Sequence, residues 1–444
     1  MPEYRTGTVF LCHDPKTGEE PFMSRTLEDY RQIVGDNVIS QIHRKALGLL
    51  GKHILHVNST YQGGGVAEML QTLVPLMNDI GIDAGWRILH GNPDFFDITK
   101  KFHNALQGEP INFTEMKKRL YVQTNENFSQ YTHIEHDFII VHDPQPLPLI
   151  RFYKKQQPWV WRIHIDLSDP NAGLWEFLKN YILKYDSIIV SNEKYKKNDL
   201  PVDHRIFAPA IDPLSPKNME LNNGTMAKTI KRFNIPTDKP LITQISRFDK
   251  WKDPLGVVDI FRQVREKMDC RLILCGSMAA DDPEGWQIHE KVRKRASKYI
   301  DTGDILLITS ENNILVNVLQ RISDVIIQKS LREGFGLVVT EALWKEKPVI
   351  ASNIGGIPLQ IRDGDGGFLV DPEDTATFAD RVCAVLRDKE LAEKLGKNGK
   401  AHVKKHFLIT RLLSDYLAML NDFLVCPISK NGTVPCGNAN SKKR

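Results

Sequence analysis

The chain has 444 residues, of which 41% are hydrophobic and 26% charged, and its formal net charge is +4. That length exceeds one ordinary hydrophobic core, so two domains of roughly 200 residues each are expected. So small a charge argues against a dedicated nucleic-acid binder, and no apolar run approaches the roughly 20 residues that a membrane helix needs.

The six cysteines (Cys12, Cys270, Cys275, Cys383, Cys426 and Cys436) are scattered, with no C-x-x-C pair. This usage argues against structural zinc and fits a reducing compartment. The opening Met-Pro-Glu-Tyr-Arg lacks the apolar core of a signal peptide, so a cytoplasmic location is expected.

Residues 1–50 read as an N-terminal extension packed on the first domain, with helix-like spacing of Ile33, Val34, Val38, Ile39, Ile42 and Leu47. Residues 53–58 read as a strand. They lead into Ser59-Thr-Tyr-Gln-Gly-Gly-Gly65 and a helix over 66–80. Glycines between a strand and a helix let a backbone approach an anion closely. The segment is neither G-x-G-x-x-G nor Walker A, and a tight turn serving packing alone is the plain alternative. Further strands are expected at 83–89, 137–141, 159–166 and 187–191. The third ends in His142 and Asp143, the fourth at His164 and Asp166. Polar residues at the carboxyl ends of parallel strands line the crevice where open α/β sheets bind ligands. Strands alternating with helices make residues 51–208 a doubly wound, Rossmann-like domain.

A proline-rich segment, 209–216, reads as a linker. A second βαβ series follows over 217–390, with strands expected at 240–246, 271–276, 305–308, 325–327 and 348–351. Residues 391–425 hold amphipathic helices expected to cross back to the first domain. Residues 426–444, rich in Asn, Gly, Ser and Lys, read as a disordered tail.

The chemistry concentrates in 329–344. Here a strand runs into a loop carrying Gly334 and Gly336, and then into a helix. Free backbone N–H groups and the positive end of a helix dipole make such a loop an anion site. Glu333 on the loop and Glu341 one turn into the helix flank it. A phosphate with hydroxyl-bearing groups on both sides, as in a sugar nucleotide, would satisfy all three. Arg247 and Lys252, just past another strand end, would grip the diphosphate and stabilise its charge as the sugar bond breaks. Each has a plain alternative: surface cations beside Asp249 and Asp253, a helix-start acid at Glu341, a loop acid at Glu333. Their combination is what points to a site. His164 could meet a substrate hydroxyl or a backbone carbonyl. Asp363-Gly-Asp365 matches a D-x-D metal pattern but reads more simply as a turn.

Glu333-Gly-Phe-Gly-Leu-Val-Val-Thr-Glu341 resembles the E-x7-E signature of retaining nucleotide-sugar glycosyltransferases with the GT-B fold. Ser246-Arg-Phe-Asp-Lys-Trp-Lys-Asp-Pro254 is similar to their phosphate-binding segment, and Ser352-Asn-Ile-Gly-Gly-Ile-Pro358 to the strand and loop that follow. More narrowly, 58–68 and Arg162-Ile-His-Ile-Asp-Leu-Ser168 resemble the trehalose glycosyl-transferring synthases. The resemblance covers about 50 to 425.

It implies two Rossmann-like domains facing across a cleft, and reversible transfer of glucose from ADP-, UDP- or GDP-glucose to free glucose, giving α,α-trehalose. It implies that Arg247 and Lys252 bind the diphosphate. Backbone N–H groups at Gly336 and Leu337 would bind phosphate, and those at Gly334 and Phe335 the glucosyl hydroxyls. Glu341 would hold the ribose, Glu333 the donor glucose, and His164 the region of its 6-hydroxyl. Gly63, Gly64 and Gly65 would approach the phosphates and shape the acceptor side, and the base would lie near 308–313. Gln62, Asp143 and Asp166 are weaker acceptor-side candidates. No metal or other cofactor is expected, and no nucleic-acid or membrane partner; a homodimer is. Another acceptor (forming sucrose, kojibiose or α-glucan) or a non-catalytic sugar-nucleotide binder are the alternatives.

Overall fold

The computed structural model describes residues 25–61, 64–276 and 283–425. Gln62, Gly63, the first 24 residues and the tail 426–444 lie outside the described residues.

The first sheet has six strands: β1 (His53–Asn58), β2 (Asp83–Ile88), β3 (Phe138–His142), β4 (Trp159–Arg162), β5 (Ser187–Val190) and β6 (Asp203–Ile206). Their order is β2-β1-β3-β4-β5-β6, and every pairing is parallel. The second sheet holds β7 (Leu241–Ile245), β8 (Arg271–Gly276), β9 (Ile305–Thr309), β10 (Val325–Gln328), β11 (Val349–Ser352) and β12 (Phe368–Val370). It is also wholly parallel, in the order β12-β11-β10-β7-β8-β9. The expected doubly wound architecture is therefore present twice, with both faces of each sheet covered, as parallel sheets require.

Two edge strands were not foreseen. β6 reads Asp-His-Arg-Ile and is exposed at both ends, so it has no apolar run to announce it. β12 is three residues long. The fourth strand stops at Arg162 instead of reaching Asp166. Asp143 supplies the reason: its Oδ1 accepts from the His164 backbone N–H at 3.0 Å, which draws the chain off the sheet.

One face of the first sheet, with Ile54, Ile140, Val160 and Ile189, packs on the helix Gly65–Asp79, on residues 27–49, and on the last helix, Ile409–Val425. Leu412, Leu413, Tyr416, Leu417 and Leu420 of that helix are fully buried, each side chain worth about 1.5–3 kcal/mol. The preceding helix, Lys389–His406, packs instead against Leu337–Trp344 beside the second sheet. Between them Leu408 pairs with Ile211, so the chain's two crossings between the sheets run side by side. The proline-rich segment there is not a free tether, because Phe207, Ala210, Ile211 and Asp212 are all buried. Cys270, Cys275 and Cys383 are buried thiols, and burial pushes the first two up to about 12. Among the described residues no helix is long and apolar enough to cross a membrane.

Candidate active site

The carboxyl ends of both sheets meet at a cleft. On the second wall, the loop between β10 and the helix Leu337–Trp344 carries Glu333 to Gly336. Gly336 sits just before the helix in the left-handed conformation, φ 84°, which an L side chain adopts only with strain. Glu333 is buried, and its carboxylate is paired with the Lys252 ammonium. Ser330 Oγ lies 3.4 Å from the same oxygen, Oε2.

Lys252 is held at both backbone ends. Its N–H donates to Asp249 Oδ1 at 3.0 Å, and its carbonyl accepts from Gln244 Nε2 at 2.8 Å. The next residue, Asp253, caps the helix Pro254–Arg265 by accepting from Gly256 N–H, and it also pairs with the buried Lys329. The two aspartates beside Lys252 therefore shape its loop, and its charge meets Glu333. Arg247 is 65% exposed, 3.4 Å from Asp249, and free to reorient. Across the cleft is His103, pushed down to about 4 by burial, with Arg247 adding to the shift.

The glycine loop touches the first wall directly. A Cβ on Gly334 would lie 2.9 Å from the His164 carbonyl oxygen and 3.3 Å from Ile165 Cα, so no side chain fits there. Tyr195 Oη donates to the Gly334 carbonyl at 2.9 Å, and Asn192 Nδ2 to that of Gly355 at 3.1 Å. Gly65 also reaches this loop, since a Cβ on it would meet Leu337 Cδ1 at 2.8 Å, whereas a Cβ on Gly64, φ 85°, would meet nothing within 4 Å. The structure therefore brings Lys252, Glu333, Gly334, the 164–166 segment, Leu337 and Gly65 together.

Glu341 belongs to a neighbouring part of the cleft. It is buried, its Oε2 has no hydrogen-bond partner, and Lys217 lies 3.7 Å from Oε1. Lys217 also holds Glu68 of the first wall at 2.7 Å. Burial alone would lower the Lys217 ammonium, but the Glu341 and Glu68 carboxylates raise it. Burial raises the Glu68 carboxyl. A cavity of about 60 Å³ opens here, lined by Gly65, Glu68, Lys217, Asn313, Leu337 and Glu341. Lys345 lies behind it, donating to Asn218 Oδ1, Gln320 Oε1 and the Glu341 carbonyl, and burial pushes it down to about 7.

Phe335 is buried with Phe407, and only its backbone is left for a ligand. Asp143 is in the left-handed region, φ 62°, with its carboxylate turned back onto the His164 backbone; burial raises it to about 7. Asp166 Oδ1 accepts from Ser168 N–H at 2.8 Å and lines a second opening, of about 350 Å³, with Arg332 and Tyr195. Asp363 and Asp365 lie in a hairpin-like turn, occupied by Leu369 N–H and Asn398 Nδ2.

His164 Nε2 meets His142 Nδ1 at 3.0 Å, and His142 Nε2 meets His56 Nδ1 at 3.0 Å. Neither partner was singled out for this role from the sequence. Their only signal is a histidine near the carboxyl end of each of three strands that the sheet order makes neighbours. Lys217 and Tyr195 carry no local motif, and Glu68 and Lys329 lie at the ends of the stretches 58–68 and 329–344 without a role of their own.

The family model for the trehalose synthase N-terminal domain matches residues 56–197, and that for group 1 glycosyltransferases matches 226–402. A trehalose synthase of Thermococcus litoralis is 48% identical over 403 residues, 90% of this chain and 97% of the relative. One of Rubrobacter xylanophilus is 42% identical over 410 residues, 90% and 97% of the two chains. In fold, the chain is similar to a sucrose-phosphate synthase of Thermosynechococcus elongatus, with TM-score 0.68 and 17% identity over 84% of this chain and 100% of that one. With its two parallel six-stranded sheets and its relatives over nine-tenths of its length, the chain belongs to the trehalose synthase family of GT-B glycosyltransferases.

Proposed function

We propose that the chain is a retaining glucosyltransferase that joins glucose from a nucleoside-diphosphate glucose to free glucose, reversibly, giving α,α-trehalose. The observation that carries this reading is the Lys252–Glu333 pair beside a glycine loop whose Gly334 rests on the His164 segment. Here a cation, a carboxylate and unpaired loop N–H groups share one place between two walls. The C1–O bond to the diphosphate breaks, the bond from C1 to an acceptor hydroxyl forms, and the hydroxyl proton passes to the departing phosphate. Lys252 and Arg247 stabilise the charge growing on that phosphate. Glu333 holds donor-glucose hydroxyls, and Glu341, with its free Oε2, holds the ribose. The cavity beside Asn313 takes the nucleoside.

Incubation with glucose and ADP-, UDP- or GDP-glucose should yield trehalose and the nucleoside diphosphate, and trehalose with the diphosphate should run the reaction back. No trehalose with any of the three nucleotides would sink the assignment, while sucrose, kojibiose or glucan from an acceptor panel would redirect it. Binding without turnover would favour a sensor. We expect activity to persist in EDTA, since the two cations serve where a metal otherwise would; complete loss restored by magnesium would overturn that. A cytoplasmic homodimer is the working form we propose, and light scattering checks the stoichiometry.

A further inference from the structure

We infer that His56 and His142 set the tautomer of His164, so that His164 offers the cleft an Nδ1–H donor. The residues come from three neighbouring strands: His56 on β1, His142 at the end of β3, His164 two residues past β4. Their rings form one hydrogen-bonded file, with both inter-ring contacts at 3.0 Å. The file runs from the core, where His56 lies fully buried against the Tyr416 ring of the last helix, to the half-buried His164 at the cleft.

All three rings are neutral at ordinary pH. Burial lowers His56 to about 3 and holds His142 and His164 well below the usual histidine range. The buried Arg162 guanidinium opposes protonation of His142 and His164, and Asp143 faces the His164 backbone.

A neutral imidazole donates from one nitrogen and accepts at the other. With one proton per ring and one needed in each contact, only two arrangements exist. In the first, His164 Nε2–H donates to His142, His142 Nε2–H donates to His56, and the last proton sits on His56 Nε2. That atom is buried and has no partner, so its N–H would be orphaned. In the second, every ring is protonated on Nδ1. His56 Nε2 then keeps only a lone pair, and His164 Nδ1–H points away from His142. A buried N–H without an acceptor is rarer in folded proteins than an acceptor without a donor. The second arrangement therefore prevails. His56 and His142 act as positioning residues through His164. If His164 meets the donor sugar as proposed above, it does so by donating to a sugar oxygen.

The test is NMR of the full chain labelled with ¹⁵N-histidine, with the His164 signals assigned by their loss in His164→Asn. A protonated Nδ1 and a bare Nε2 on His164 are expected; the opposite tautomer, or fast averaging of the two, overturns the inference. This readout needs no turnover, so it stands apart from failure of the proposed reaction. A kinetic arm compares His142→Leu with His142→Asn, whose amide can still donate to His164 Nε2. The leucine variant should lose about tenfold or more in kcat, with the acceptor KM little changed, and asparagine should recover much of that loss. Equal loss in both variants also overturns it.

Discussion

The two walls of the cleft reach their chemistry by opposite routes. On the second wall the groups come from two short local stretches: Lys252 lies eight residues past Gln244, whose side chain holds its carbonyl, and Glu333 to Leu337 are consecutive. The histidines of the first wall are neutral, His56 and His142 buried and His164 half-buried, drawn one by one from β1, β3 and the turn after β4. In the proposed reaction the second wall stabilises a developing phosphate charge, which calls for cations. A wall that only orients a sugar can use neutral donors in a low-dielectric setting, where a hydrogen bond is stronger and an unpaired group costs more. The settings differ as well: Arg247 is exposed, while His56 and His142 are part of the core.

Four measurements can break or sharpen this contrast. The largest effect is expected for Lys252→Ala, which removes the charge proposed to face the phosphate and leaves Glu333 buried without its partner. A fall of about 10²–10³ in kcat, roughly 2.7–4 kcal/mol, is the expectation. A loss below tenfold would move the diphosphate elsewhere. Next is Gly334→Ala. Its methyl would sit 2.9 Å from the His164 carbonyl, a backbone atom with little room to give, so the walls must separate. We expect a loss of about 10²-fold in kcat/KM, as misplacement by about 1 Å can cause, with the melting temperature nearly unchanged. Wild-type kinetics would mean that the contact of the two walls is dispensable.

Arg247→Ala should cost about tenfold in kcat/KM, about 1.4 kcal/mol, because in the proposed complex this exposed side chain adds a second grip on the phosphate. An unchanged value removes it from the site. The last measurement reads stability and not rate, and concerns Asp143 on the first wall. Its carboxyl is raised by burial to about 7 from an ordinary 3.8, so between those values the folded chain keeps a proton that the unfolded chain has released. Stability from this group is present in full below the unfolded value and is lost as pH rises toward 7. Asp143→Asn removes that loss, and asparagine tolerates the left-handed backbone. In urea unfolding from about pH 4 to 7, the variant should gain on the wild type by up to about 1.4 kcal/mol per pH unit. A constant difference across the range would show that Asp143 stays ionised.

Much of the architecture was legible in the chain. Ten of the twelve strands announce themselves as apolar runs bounded by glycine or polar residues, and the two missed are the edge strands β6, which has no apolar run, and β12, which is three residues long. Of the site, the residues on the second wall were legible because a strand, glycine loop and helix is a local device with a local signature. Glu341 was legible as a residue, but its setting was not. That it shares Lys217 with Glu68 depends on a helix start of the other unit, 273 residues earlier in the chain (341 − 68).

What the sequence alone determined is the alternation that makes two parallel sheets, and the strand, glycine loop and helix that carry Glu333 and Glu341. Periodicity, glycine placement and charge within a few residues are enough for both. What only the tertiary structure decided is how distant groups meet: Gly334 on the His164 carbonyl, Lys252 on Glu333, and a file of three histidines under the last helix. Hydrogen bonds between side chains on neighbouring strands follow from sheet order and register. Neither is written in any local stretch of the chain, because each is settled by the packing of whole layers.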